Sequence, residues 1–152
     1  MWRWRIKVKT RPVYLALGSN LGDRKANIGR AVELLDERFQ TPHVRLSGLH
    51  ETPAEGFEGP NFINAAVRYD LALEPLEILR VCKSVESEMG RPQTVAEFDS
   101  GGRRIYHSRI IDIDVLLVGD EIVDTPELKV PHPLMKEREF VMVPLGEILG
   151  IS

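Results

Sequence analysis

The chain opens on a period-two pattern: Trp2, Arg3, Trp4, Arg5, Ile6, Lys7, Val8 and Lys9 alternate apolar with basic side chains. That spacing predicts a strand with one greasy and one basic face. It is either a structural edge strand or a basic arm for a membrane surface or nucleic acid. Val13 to Leu17 is instead a continuous apolar run ending at Gly18-Ser19-Asn20-Leu21-Gly22-Asp23, which predicts a buried strand and a turn. Asp23 stands where it can cap a helix in which Ile28, Ala31, Val32, Leu35 and Phe39 recur at helical spacing.

Val44 to Leu49 and Phe62 to Tyr69 read as the next two strands, separated by the loop Pro53-Ala54-Glu55-Gly56-Phe57-Glu58-Gly59-Pro60-Asn61. Pro75 suits the first turn of a second helix, whose apolar stripe is Ile78, Val81, Cys82, Val85 and Met89 and which ends near Gly90. Arg91 to Arg109 has no clear periodicity and reads as a long loop of the kind that closes over ligands or stays disordered. Ile111 to Val118 is the fourth main strand. The order β-α-β-β-α-β predicts an α+β fold of the ferredoxin-like type, an antiparallel sheet with helices packed on one face. Residues 13–152 form one domain on this reading, and residues 1–12 an N-terminal extension supplying an extra strand.

Composition narrows this picture only a little. At 152 residues, with 43% hydrophobic and 28% charged residues, the chain suits one globular domain with its own core. A formal net charge of -3 gives no global attraction to nucleic acid, so phosphate binding must come from local Arg and Lys clusters. The single cysteine, Cys82, cannot form an internal disulfide, which fits a reducing cytoplasm. No apolar run approaches a membrane span, and no signal-peptide stretch follows Met1.

The densest candidate chemistry lies in Arg109-Ile110-Ile111-Asp112-Ile113-Asp114-Val115-Leu116-Leu117. Side chains alternate along a strand, so Asp112 and Asp114 project from one face. Neighbouring acids in so apolar a segment repel each other and lose hydration unless a cation neutralises them. Magnesium suits such a site, because it takes oxygen ligands from one or two carboxylates plus substrate phosphates. Two solvated aspartates on an edge strand are the alternative, against which the flanking apolar residues argue for a central strand. Arg91 and Arg109 bracket the long loop and offer planar guanidinium groups to polyphosphate oxygens, whereas Arg103 and Arg104 read rather as solvated loop charge. In Val130-Pro131-His132-Pro133 two prolines stiffen the backbone around His132, and Arg138 follows closely; the pair can hold phosphates. Asn64 can donate and accept at once, as the edge of a pyrimidine ring requires, while Phe62 and Phe140 offer flat faces for stacking or serve in the core.

Taken together, Gly18 to Asp23, Glu51-Thr52-Pro53, Phe62-Ile63-Asn64-Ala65-Ala66-Val67, Glu86 with Gly90-Arg91, Arg109 to Gly119 and Val130 to Arg138 resemble the 6-hydroxymethyl-7,8-dihydropterin pyrophosphokinases of folate synthesis. The motifs follow the family's order from Val13 to Ile148. The resemblance implies transfer of diphosphate from ATP to the hydroxymethyl group of the reduced pterin, with a pair of Mg2+ ions held by Asp112 and Asp114. It also implies that Glu86 lies in the nucleotide site, that His132 and Arg138 contact the triphosphate, and that Arg91 and Arg109 serve during transfer. Thr52, Asn64, Phe62 and Phe140 would surround the pterin. The expected partners are these two small substrates, with no nucleic acid and no membrane, for a cytoplasmic monomer or weak homo-oligomer. The chain departs from the family in a longer Arg91 to Arg109 loop and in Tyr106-His107-Ser108, where many members have a tryptophan followed by Gly-Pro. Met1 to Pro12 precede the family's usual start, and Ser152 comes before its usual C-terminal elements. Rival readings are a non-catalytic nucleotide or pterin module and a ferredoxin-like RNA-binding domain; the latter lacks the aromatic strand pattern on which bases stack.

Overall fold

The computed structural model describes residues 9–54, 58–90, 97–98, 100–101, 104–105 and 109–149. The element order is β1 (Arg11–Ser19), α1 (Arg24–Phe39), β2 (Arg45–Leu46), β3 (His50–Thr52), β4 (Phe62–Leu71), α2 (Pro75–Glu88), β5 (Glu97–Phe98), β6 (Arg104–Ile105), β7 (Asp112–Val118), β8 (Val123–Asp124), β9 (Lys129–Val130), a 3-10 turn (Met135–Glu137) and α3 (Glu139–Ile148). The alternating segment Trp2 to Val8 lies outside the described residues; Lys9 is exposed and outside the sheet. β1 begins at Arg11, two residues before the expected start, because Arg11 pairs with Leu71 and its Nη1 donates to the Leu71 carbonyl at 2.8 Å.

The main sheet is antiparallel in the order β2-β4-β1-β7, with β3 also on β4. β1 sits centrally, so both its faces are covered, as a continuous apolar run requires. Val13, Leu15 and Leu17 join Ile63, Ala65 and Val67 of β4 against Ile28, Ala31, Val32 and Leu35 of α1 and Ile78, Cys82 and Val85 of α2. The expected helical stripes form this face of the core, with Val81 and Met89 at its margin. Asp23 caps α1 by accepting from the Ala26 N–H at 3.2 Å. Gly90 ends the second helix at a φ of +95, a left-handed backbone that glycine adopts without a Cβ penalty. Burial pushes the Cys82 thiol pKa far up, the state of an inert core cysteine.

Two features depart from the expected pattern. Of the strand predicted at Val44 to Leu49 only Arg45–Leu46 forms, and a separate short strand follows at His50–Thr52, because the Ser47 hydroxyl takes the Ala66 N–H at 2.8 Å in place of a backbone carbonyl and the ladder breaks there. The opposite face of the sheet also carries a helix. Val141, Leu145 and Ile148 of α3 pack with Met135 on Tyr14, Ala66 and Leu116, so helices cover both faces rather than one. Pro144 and Gly146 inside Glu139–Ile148 oppose helix formation locally, and only packing on the sheet makes the segment helical. A bulge in β7 opposite Tyr14/Leu15 lets consecutive Leu116 and Leu117 both reach this second cluster. Among the described residues no helix is long and apolar enough to cross a membrane.

Leu145 is fully buried, so Leu145→Ala should lower the unfolding free energy by about 2–5 kcal/mol if α3 is an integral layer. Urea denaturation measures this. A loss below about 1 kcal/mol would mean the helix merely rests on the sheet.

Candidate active site

Strand register brings the polar candidates together. Across β4, β1 and β7, Asn64, Gly18 and Asp112 form one row, and Ala66, Ala16 and Asp114 form the next. All six belong to the sheet face that carries α3. Where α3 stops covering that face, a cleft of about 680 Å³ opens and continues around β7 to the flank of α2. Thr52, Phe62, Asn64, Glu86, Arg109, Asp112, Asp114, His132, Arg138 and Phe140 all line it. Arg91 lies outside the described residues, as do Arg103 and Tyr106-His107-Ser108.

One wall has the chemistry of a heterocycle edge. Asn64 is 6% exposed and donates through Nδ2 to Thr52 Oγ1 at 2.7 Å. This bond fixes the amide plane and leaves the carbonyl oxygen as an acceptor on the Gly18 side, where a Cβ would lie 3.3 Å from Asn64 Oδ1 and 3.4 Å from Phe62 Cδ1. Glycine at position 18 therefore lets the ring and the amide close onto β1. The expected reading took Gly18 only as the start of a turn.

The floor carries the acids. Residues two apart in a strand are separated by about 7 Å, at which two negative charges repel by roughly 2 kcal/mol for an effective dielectric near 20. Arg109 offsets part of this by donating from Nη1 to Asp112 Oδ1 at 3.2 Å, with both side chains about one quarter exposed. Where the flanking apolar residues argue for a central strand, β7 is the outermost strand of the sheet among the described residues, because Ile113 and Val115 are buried by the helices of the main core rather than by a further strand. Its outward Ile113 N–H donates to Glu86 Oε2 at 2.8 Å, and its Leu116 carbonyl accepts the His132 N–H at 3.0 Å. Glu86, expected beside the nucleotide, thus lines the cleft with one carboxylate oxygen turned onto the strand edge.

His132 lies between unlike charges. Burial and the neighbouring Arg138 pull its pKa below the ordinary 6.5, outweighing the opposite pull of Asp112. Its Nδ1 accepts from the Leu134 N–H at 3.2 Å, which assigns the proton of the neutral ring to Nε2. Arg138 stacks over the Phe140 ring, 5.7 Å from its centroid, a cation–π contact that holds the guanidinium at the cleft wall.

Sequence reasoning assigned no role to Asn20. It is fully buried, its Oδ1 accepts from Arg109 N at 2.6 Å, its Nδ2 donates to the Pro60 carbonyl at 3.2 Å, and its own N–H donates to the Arg109 carbonyl at 3.0 Å. One asparagine therefore ties the end of β1 to the approach to β7 and to the loop before β4. The signal was present in Gly18-Ser19-Asn20, but a turn asparagine has too many other uses to single out. Lys83, Leu79, Pro53 and Lys129 also line the cleft and went unassigned.

Comparison with known proteins agrees with this arrangement along nearly the whole chain. The profile of the 7,8-dihydro-6-hydroxymethylpterin-pyrophosphokinase (HPPK) family matches residues 14–150. A 2-amino-4-hydroxy-6-hydroxymethyldihydropteridine pyrophosphokinase of Porphyromonas gingivalis is 44% identical over 138 residues, 90% of this chain and 89% of that one. The Bacillus subtilis protein of the same name is 38% identical over 136 residues, covering 89% and 76%. A mitochondrial folate synthesis bifunctional protein of Pisum sativum is 40% identical over 149 residues, which are 97% of this chain but 27% of that longer one. A crystal structure of an HPPK-DHPS protein in complex with substrates shares the fold, with a TM-score of 0.63 at 14% identity over 92% of this chain and 40% of the other. A profile that spans β1 through α3, with relatives this similar over most of their own length, shows that the chain belongs to the 7,8-dihydro-6-hydroxymethylpterin-pyrophosphokinase family.

Proposed function

We propose that the cleft transfers the terminal diphosphate of ATP to the hydroxymethyl group of 6-hydroxymethyl-7,8-dihydropterin, releasing AMP, as a step of folate biosynthesis. One observation carries this reading: an amide edge at Asn64 and a carboxylate pair at Asp112 and Asp114 share one cleft, bridged by the side-chain-free position Gly18. A heterocycle held at the first can present a short substituent to a polyphosphate held at the second. In the reaction the hydroxymethyl oxygen bonds to the β-phosphorus, and the bond from that phosphorus to the oxygen bridging to the α-phosphorus breaks.

Asn64, oriented by Thr52, reads the pterin edge, and Phe62 and Phe140 flank its faces. The neutral His132 donates from Nε2–H, and Arg138 and Arg109 bind phosphate oxygens. Arg91 joins them by family resemblance alone. Hard oxygen donors on one strand face, half-buried and beside cationic phosphate ligands, fit magnesium. Asp112 and Asp114 would hold it, with Arg109 moving from Asp112 to the phosphates. When bound, the ion neutralises charge on the triphosphate and lowers the cost of the departing AMP oxygen. Family resemblance alone puts Glu86 beside the nucleotide, whereas its carboxylate oxygen bonds the edge of β7.

The strand order β2-β4-β1-β7 supports the ferredoxin-like βαββαβ reading, with α3 added to the second face. On this reading residues 13–152 act as one cytoplasmic domain, a monomer or weak homo-oligomer, with residues 1–12 as an extension.

The function predicts that AMP forms from ATP only when both the dihydropterin and magnesium are present, and that Asp112→Asn and Asp114→Asn each lower turnover by about 100-fold or more with the fold intact. Near-normal turnover of both variants at saturating magnesium would remove the metal assignment. Asn64→Ala should weaken pterin binding by about 5-fold or more while leaving the binding of an ATP analogue unchanged; calorimetry showing equal losses would make Asn64 structural. For His132, nitrogen-15 NMR should find the Nε2–H tautomer and a titration midpoint below 6.5. Because the folded pKa is depressed, the unfolded chain takes up the proton first as pH falls. The ring therefore contributes no pH dependence above 6.5 and costs stability as pH drops through its folded midpoint. An Nδ1–H tautomer would contradict the assignment.

A further inference from the structure

An outermost strand turns one row of backbone groups away from its only neighbour, and β7 is such a strand. Asp112 and Asp114 face Gly18 and Ala16 across the ladder, and these positions offer a hydrogen and a methyl group rather than side chains that grip. On the outer side the Ile113 N–H is held by Glu86 Oε2 at 2.8 Å. That N–H belongs to the peptide joining Asp112 to Ile113, so a single bond from α2 pins the backbone between the two cleft carboxylates.

Glu86 is an unusual choice for a core position. It is 4% exposed, whereas the apolar work of α2 is done by Ile78, Cys82 and Val85 on the same helix. Burying a carboxylate is unfavourable unless N–H donors replace its water. Beside burial, the charges of Glu86 and Asp114 both push up the pKa of the Cys82 thiol. A residue serving only to join α2 to the sheet could be apolar; one that must grip a backbone N–H needs an acceptor oxygen.

We propose that Glu86 is a positioning residue: its carboxylate fixes the Asp112–Ile113 peptide so that Asp112 and Asp114 hold their orientation toward a divalent cation, and it acts through them rather than by touching the nucleotide. The proposal rests on the assignment of Asp112 and Asp114 as the cation-holding pair. Glu86 Oε2 is engaged by the Ile113 N–H at 2.8 Å, which is the contact through which it acts on the pair.

The test uses the full chain with Mn2+ as the probe, followed by electron paramagnetic resonance, in the presence of a non-hydrolysable ATP analogue. Glu86→Ala should weaken Mn2+ binding by about 10-fold or more and remove the exchange protection of the Ile113 N–H, with the metal-free affinity for the analogue unchanged. Glu86→Gln keeps an acceptor oxygen and should bind Mn2+ within about 3-fold of the parent. Unchanged Mn2+ affinity in Glu86→Ala, an equal loss of analogue affinity without metal, or an equal Mn2+ loss in both variants would each overturn the proposal. If Glu86→Ala does not fold, Glu86→Gln decides alone, since a 10-fold loss there excludes the acceptor role. Asp112→Asn separates the two readings: if it binds Mn2+ like the parent, the carboxylate pair is misassigned whatever Glu86 does.

Discussion

In the β4–β1–β7 ladder the rows Asn64–Gly18–Asp112 and Ala66–Ala16–Asp114 depend on pairing register, and a slip of one residue would send every one of these side chains to the other face. The register is held by the opposite face. Leu15, Leu17, Val67, Ile113 and Val115 are buried in the main core, and turning them outward would expose far more apolar area than any polar contact in the cleft could offset. The chemistry of one face is thus enforced by the hydrophobic packing of the other. Gly18 and Ala16 complete the constraint, because larger residues in the central strand would fill the space between the amide wall and the acids.

The edge of β7 turns a structural liability into a scaffold. An uncovered edge invites pairing with other chains, and a buried unpaired amide costs about 1–3 kcal/mol. Here Glu86 and His132 satisfy the edge at Ile113 and Leu116, and the same two residues stand at the cleft. Asn20 plays the corresponding part at the mouth, joining β1 to Arg109 and to Pro60. Arg24 adds to it by donating to the Asn61 carbonyl at 2.9 Å and to Glu51 at 3.1 Å. Loops on both sides of the cleft are therefore anchored to the stretch that links β1 to α1.

The charges that line the cleft are nearly matched in number. Asp112 is met by Arg109, while His132 is kept neutral by burial and by Arg138. A neutral imidazole beside a guanidinium can approach anionic oxygens without adding repulsion to other cations. On the proposed function a divalent cation at Asp112 and Asp114 would free Arg109 for phosphate, a better partner than the aspartate it now holds.

Much of this was written in the order of residues. Alternation exposed Asp112 and Asp114 on one face, helical spacing exposed α1 and α2, and the motifs from Gly18 to Arg138 carried the family resemblance. These are local properties, legible because strand and helix periods act within a few residues. What was not legible is set between distant segments. The Ser47 hydroxyl broke the predicted second strand by bonding to Ala66. The segment with Pro144 and Gly146 became α3 only because Tyr14, Ala66 and Leu116 offered an apolar face. Glu86 met Ile113, and Asn20 met Arg109 and Pro60, across separations that no periodicity encodes. The chain alone determined which side chains could carry the chemistry; tertiary packing decided which of them meet, because a buried polar group takes its partner from whatever the fold brings within hydrogen-bonding distance.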